Sequence, residues 1–324
     1  MATTVQCLLC KKECKLVEGQ RGDCRVRVNL EDKLMTLVYG KPCAVHVDPI
    51  EKKPLYHVIP ATTAFSISTA GCNLHCKFCQ NWQISQQEPE ETRNIDLPPE
   101  QVVEWAIKTN CRSIAYTYAE PTVFYEYMLD TCKLAHQHRL KNLWITAGFI
   151  NQEPLKELCL YMDAANIDLK SIREDYYKDI CSAELKPVLE TIKTAKAAGV
   201  WVELTNLVVP TLNDSRQDIE DLVDFVLSIG LDIPLHFSRF HPMYQLKNLP
   251  PTPVSTLDMA RNSALKKGLY YVYVGNVPGH VGNNSYCPNC KGLIIQREGY
   301  LILKNIVNEG RCKLCGFKIA GIWD

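Results

Sequence analysis

From about residue 61 to 275, short β-branched and aromatic runs alternate with stretches of helical periodicity. The runs predict strands at 63–68, 113–118, 142–147, 164–169, 201–207 and 234–240, with a seventh candidate at 270–274. The clearest helix follows Asn213. Ser215 and Asp218 resemble a capping box, Ile219, Leu222, Val223 and Val226 recur at helical spacing, and Gly230 ends the pattern. A second helix is expected over 184–198, stopping at Gly199. A third starts near Pro121 and carries Phe124, Met128, Leu129, Cys132 and Ala135 on a stripe that reads as core. Strands alternating with helices imply parallel pairing through right-handed crossovers. Six such units are too few to close an eight-unit barrel, so the expected class is α/β, an open partial (β/α)6 TIM-like barrel. Its functional residues should gather at the C-terminal ends of the strands.

The cysteines add two flanking modules to this picture, at 1–60 and 276–324 around a central domain at 61–275. Of sixteen cysteines, four are N-terminal (Cys7, Cys10, Cys14, Cys24), three form a central run (Cys72, Cys76, Cys79) and four are C-terminal (Cys287, Cys290, Cys312, Cys315). The remaining five (Cys43, Cys111, Cys132, Cys159, Cys181) read as small buried hydrophobes. The start lacks the basic stretch and apolar run of a signal peptide. So many thiols in an unexported chain imply a reducing compartment and metal chemistry, and cytoplasmic residence is expected. The formal charge is zero, which speaks against a nucleic-acid partner or an anionic membrane surface. No apolar run is long enough to span a bilayer.

Cys287-Pro-Asn-Cys290 and Cys312-Lys-Leu-Cys315 are two C-x2-C knuckles separated by twenty-one residues. Between them 293–296 and 300–304 read as a hairpin with Gly299 near its turn. The pattern suits a zinc ribbon or a rubredoxin-like iron site. The N-terminal set, Cys7-x2-Cys10-x3-Cys14-x9-Cys24, uses Gly19 and Gly22 for turns and suits either zinc or an auxiliary iron–sulfur cluster.

Cys72-Asn-Leu-His-Cys76-Lys-Phe-Cys79 is a C-x3-C-x2-C run that follows the first strand and a Gly71 turn. Four irons normally take four thiolates, so three clustered cysteines leave one iron open. A zinc knuckle, commonly closed by four ligands in C-x2-C pairs, fits this run poorly. With Phe78 before the last cysteine, the run resembles the signature of radical S-adenosylmethionine (radical SAM) enzymes. That resemblance implies a [4Fe-4S] cluster held by Cys72, Cys76 and Cys79, whose open iron chelates SAM. It implies reductive cleavage of SAM to a 5′-deoxyadenosyl radical that abstracts hydrogen.

Further motifs extend the resemblance. Tyr118-Ala-Glu120-Pro121 stands where many members carry Gly-Gly-Glu-Pro. Glu and Pro match, the two glycines do not, and Glu120 is implied to receive the SAM amino group. Asp168-Leu-Lys170 resembles the Asp-x-Lys pair of glycyl-radical activating enzymes. Its two side chains share a strand face, and Lys170 could neutralise the SAM carboxylate. Asn206 could reach the ribose hydroxyls, and Phe78 could wall the adenine with Trp82 beside it. His236, Arg239 and His241 suggest an acidic or phosphorylated substrate at the mouth. The motif order, including Gly22-Asp-Cys24-Arg-Val-Arg27, Asp48-Pro-Ile-Glu-Lys-Lys-Pro-Leu-Tyr-His57 and Gly275-Asn-Val-Pro-Gly-His280, resembles the radical SAM enzymes of the AmmeMemoRadiSam system, which are pyruvate formate-lyase activating enzyme-like. The resemblance implies an electron donor such as a ferredoxin or flavodoxin. It allows a protein substrate for glycyl-radical activation, or a small molecule, peptide or lipid. A metal-binding scaffold without turnover is the reading from another class.

Overall fold

The computed structural model describes residues 4–324. Its centre is an eight-stranded sheet: β1 (Ala44–Pro49), β2 (Thr63–Ser68), β3 (Ser113–Tyr116), β4 (Lys141–Thr146), β5 (Ala164–Asp168), β6 (Trp201–Val208), β7 (Leu235–Arg239) and β8 (Val272–Gly275). The strands lie in sequence order across the sheet. β2 through β8 are parallel, and β1 runs antiparallel to β2 over six residue pairs from Ala44↔Ser68 to Pro49↔Thr63. Among the described residues β1 and β8 do not pair, so the curved sheet stays open, as expected for a partial barrel. The strand at β8 realises the seventh candidate. β1 falls inside the segment expected to be a separate N-terminal module, so the sheet begins at Ala44.

The parallel strands are buried on both faces, which is why they read as nearly continuous apolar runs. Crossover helices cover one face: α1 (Pro99–Lys108), α2 (Tyr125–Gln137), α3 (Gln152–Cys159), α4 (Leu185–Ala197), α5 (Arg216–Ile229) and α6 (Val254–Lys267). Ser215 caps α5, its hydroxyl accepting from the Asp218 amide at 3.1 Å. The helix expected near Pro121 opens as a 3-10 turn, Pro121–Phe124, before α2 begins. No helix of the described residues is long and apolar enough to cross a membrane.

Both flanks are packed onto the barrel. Cys24, Val26 and Val38 join the main apolar core. The C-terminal hairpin, Leu293–Glu298 and Leu301–Asn305, docks through Arg297. Its guanidinium lies 4.0 Å from the Tyr56 ring centroid and donates to the Tyr56 carbonyl and the Ser285 hydroxyl. The last residues close the arrangement, with Ile59 N–H donating to Ile322 O at 2.7 Å and Ile322 N–H to His57 O at 2.8 Å.

Inside the barrel lies a buried polar network. The Glu203 carboxylate, fully enclosed on β6, accepts from the Tyr56 and His57 amides at 3.0 and 2.8 Å and pairs with His236 at 2.7 Å. These contacts anchor the 48–57 motif beneath the cavity and satisfy a charge whose burial would otherwise be costly.

Candidate active site: a cysteine-rimmed cavity

The loop after β2 is built by its neighbours. Gly71 turns the chain at φ +88°, and a Cβ there would fall 2.5 Å from the Cys24 carbonyl oxygen and 2.6 Å from Val26. Only glycine permits that approach. His75 N–H and Lys77 N–H donate to the carbonyls of Cys181 and Ile180, each at 2.9 Å. Those acceptors belong to a π-helical turn, Tyr177–Cys181, a rare geometry that occurs often at functional sites. Asn73 donates to Phe149 O, and the His75 ring bridges Gln86 and Asp23 at 2.8 and 3.0 Å. Leu74 N–H points at the Cys72 sulfur (3.4 Å), and Ser85 Oγ lies 3.1 Å from that of Cys79.

Cys72, Cys76, Phe78, Cys79, Glu120, Asp168 and Lys170 all line one cavity of ≈ 460 Å³ at the C-terminal ends of the strands. Glu120 follows β3 and is almost fully buried. Its Oε1 accepts from the Thr122 amide and hydroxyl and the Thr146 hydroxyl, and its Oε2 from Ala147 N–H at 2.7 Å. Burial pushes its pKa up, and these donors oppose the shift. Three donors saturate Oε1, whereas Oε2 keeps an accepting position for a ligand. Lys170 donates to Asp168 at 2.8 Å and stands 5.6 Å from the Phe78 ring centroid. Burial alone would lower its pKa, but the Asp168 carboxylate and the Cys76 and Cys181 sulfurs beside it raise it well above the ordinary value, so it stays an ammonium.

Two expectations are corrected by these positions. Asn206 is buried, is not in the cavity wall, and donates its amide to the carbonyls of Leu169 and Lys170. It supports the segment carrying Lys170 instead of reaching a ribose. His236, Arg239 and His241 do not converge at the mouth: His236 is turned into the barrel onto Glu203, Arg239 donates to Thr252 O at 2.8 Å, and His241 is exposed. His236 and Arg239, three apart on β7, point to opposite faces, and His241 lies beyond the strand.

The sequence reading missed Lys52, Lys53 and Tyr118, which line the cavity beside the cysteines. The Asp48 carboxylate takes Lys52 at 2.9 Å, Lys53 at 2.6 Å and the Tyr118 hydroxyl. The signal for Lys52 and Lys53 was the dense charged and aromatic run from Asp48 to His57, and for Tyr118 its place two residues before Glu120. Tyr300, at the turn of the C-terminal hairpin, also reaches the cavity wall. Cys181, expected to be an inert core thiol, is buried against Cys76, and its thiol together with the Lys170 ammonium favours the Cys76 thiolate.

The three cysteine sets differ in spread. Cys287 and Cys315 sulfurs are 3.6 Å apart, and Cys290 and Cys312 are 3.9 Å apart. Thiolates about 2.3 Å from one tetrahedral ion stand about 3.8 Å from each other, so this quartet fits a single metal. Among the described residues it is the only set of three or more ligand atoms mutually within 4.8 Å. Cys72, Cys76 and Cys79 are spread more widely, as the corners of a multi-iron cluster require. The donor set therefore fits a four-iron cluster with one open iron. Glu120, with its free Oε2 position, and the Lys170 ammonium line the same cavity.

A family model of the radical SAM superfamily matches residues 66–226. An uncharacterised protein of Methanocaldococcus jannaschii is 50% identical over 97% of this chain and 95% of its own length. The pyruvate formate-lyase-activating enzyme of Clostridium pasteurianum is 24% identical over 61% of this chain and 87% of its length. A radical SAM methyltransferase from Sphaerobacter thermophilus shares the fold with a TM-score of 0.53 at 15% identity, covering 71% of this chain and 70% of that one. With the parallel open barrel and its cysteine-rimmed cavity, these matches establish that the chain belongs to the radical SAM superfamily. Within it, the likeness runs to the pyruvate formate-lyase-activating type.

Proposed function

We propose that this chain is a radical SAM enzyme whose Cys72, Cys76 and Cys79 hold a [4Fe-4S] cluster, with SAM between Glu120 and Lys170. The observation that carries the reading is the convergence of these five side chains on one ≈ 460 Å³ cavity. A bound cluster supplies the electron that splits SAM to methionine and a 5′-deoxyadenosyl radical. The chain's own residues do the positioning. Glu120 Oε2 receives the amino group, the Lys170 ammonium faces the carboxylate, Phe78 walls the cavity, and Asn206 holds the Lys170 backbone. Asp168 keeps Lys170 in place from the solvent side.

The reading extends to abstraction from a glycine of a partner protein, with a ferredoxin or flavodoxin as electron donor. Two relatives named as activating enzymes of other proteins, pyruvate formate-lyase and 4-hydroxyphenylacetate decarboxylase, support a protein substrate. In the same reading the C-terminal quartet holds one structural zinc.

Two measurements test this. Adding millimolar SAM to the anaerobic, reduced protein should shift its cluster electron paramagnetic resonance signal, and Cys72→Ala/Cys76→Ala/Cys79→Ala should abolish 5′-deoxyadenosine formation. An unshifted signal counts against chelation of SAM. Glu120→Ala or Lys170→Ala should leave the central iron in place but weaken SAM binding about ten- to a hundredfold, from the roughly 1.5–3 kcal/mol of a charged hydrogen bond. A stable organic radical on a glycyl-radical protein incubated with the enzyme supports the activating role. 5′-Deoxyadenosine without such a radical redirects the assignment to a smaller substrate.

A further inference from the structure

The N-terminal cysteines pose a separate question, because one metal ion and a multi-iron cluster demand different sulfur spacings. Cys7, Cys10, Cys14 and Cys24 line a single cavity of ≈ 20 Å³ together with Arg27 and Asn73. That exceeds the roughly 10–15 Å³ that one water needs. All four line it, with Gly22 beside the Cys14 sulfur.

The C-terminal quartet serves as an internal reference. There the sulfurs are drawn to within 4.8 Å of one another, the spacing of a mononuclear site. The N-terminal sulfurs do not meet that limit, and neither do those of Cys72, Cys76 and Cys79. Two buried polar atoms beside the N-terminal cavity also lack partners, the Nε of Arg27 and the Oδ1 of Asn73. Arg27 is almost fully buried, and its two terminal nitrogens are taken by Glu126 at 2.6 Å each. Its free Nε–H is suited to an anionic sulfide.

We infer that Cys7, Cys10, Cys14 and Cys24 ligate a second four-iron cluster, fully coordinated by four thiolates, and not a zinc ion. It backs directly onto the central cluster loop. Asn73, one residue from Cys72, lines the N-terminal cavity together with Cys10. The Cys24 carbonyl packs under Gly71, and Asp23 meets the His75 ring at 3.0 Å and Lys12 at 3.1 Å. The N-terminal centre and the central loop are therefore one packed unit.

Acid-labile sulfide separates the possibilities, since neither zinc nor a rubredoxin-type iron contains any. Protein isolated anaerobically, without chemical reconstitution, should carry about eight sulfides per chain for two four-iron clusters. Cys72→Ala/Cys76→Ala/Cys79→Ala should keep about four, and adding Cys10→Ala and Cys24→Ala should remove them. One C-terminal metal per chain in that five-fold variant reports that the remainder is folded. Sulfide-free triple variant with a second zinc, or with a single sulfide-free iron at this site, overturns the inference. Should the triple variant not accumulate, the wild-type count decides, about eight sulfides supporting the second cluster and about four overturning it. Failure here leaves the central assignment untouched, because the central cluster is read from the wild-type signal that SAM shifts.

Discussion

Asp48 shows how one carboxylate organises a cavity wall. It is buried, and it gathers Lys52, the equally buried Lys53 and the Tyr118 hydroxyl. Burial lowers the Lys53 pKa to about 8, with Asp48 opposing the shift. Asp48→Asn strands a buried ammonium and should destabilise the fold by about 3–5 kcal/mol, with Lys53→Met costing less because it leaves Asp48 paired to Lys52. The pH dependence has a definite sign. Between about 8 and the ordinary lysine value of 10.5, the unfolded chain binds a proton on Lys53 that the folded chain does not, so unfolding free energy rises with pH across that window. Denaturant unfolding of wild type and Lys53→Met from pH 7 to 10.5 should show this rise in their difference; a flat difference sinks it. The three-cysteine run was legible from residue type and spacing, and Glu120 and Lys170 were singled out by motifs that resemble those of a known family. Lys53 and Tyr118 were not, because their roles arise when β1 lies beside β2 and brings residues 48 and 118 together.

Among the elements, the loop after β2 is the most constrained. Alternating strand and helix patterns located β2 to β8 to within a few residues, since double burial writes itself as an apolar run. β1 escaped that reading because it is an edge strand with exposed His46 and Val47, bracketed by Pro42 and Pro49. The π-helical turn was equally hidden, as nothing in Tyr-Lys-Asp-Ile-Cys distinguishes it from an ordinary helix. Gly71 is where the loop after β2 meets the N-terminal segment at Cys24 and Val26. Gly71→Ala combines a disfavoured positive φ with a backbone clash against Cys24. It should cost about 1–3 kcal/mol and displace the cluster loop. Iron analysis and thermal unfolding check this: wild-type iron content at an unchanged melting temperature would show that the contact is slack.

At the scale of the molecule, both flanking modules are parts of the barrel's enclosure. The C-terminal ribbon inserts Arg297 beside Tyr56 and Tyr273, pairs Ile322 with the 57–59 segment, and sets Tyr300 at the cavity wall. Cys312→Ser with Cys315→Ser should remove one metal per chain and lower the melting temperature, because the ribbon's small core is organised around Cys287 and Cys312. Central iron should persist and dithionite-driven SAM cleavage should continue. Unchanged metal content would show that the quartet is not the site, and iron with a reversible redox transition in its place would give the ribbon an electron-transfer role.

The sequence alone determined the open α/β barrel, the three-cysteine run at its strand ends and the two flanking quartets. Periodicity and ligand spacing are local properties, and they survive being read along a line. Tertiary structure decided which side chains share the cavity. It turned His236 inward onto Glu203, tied Asn206 to the Lys170 backbone, and brought Lys53, Cys181 and Tyr300 to the site. It also decided the spread of each sulfur set, because the separation of cysteines distant in sequence depends on how the intervening chain packs.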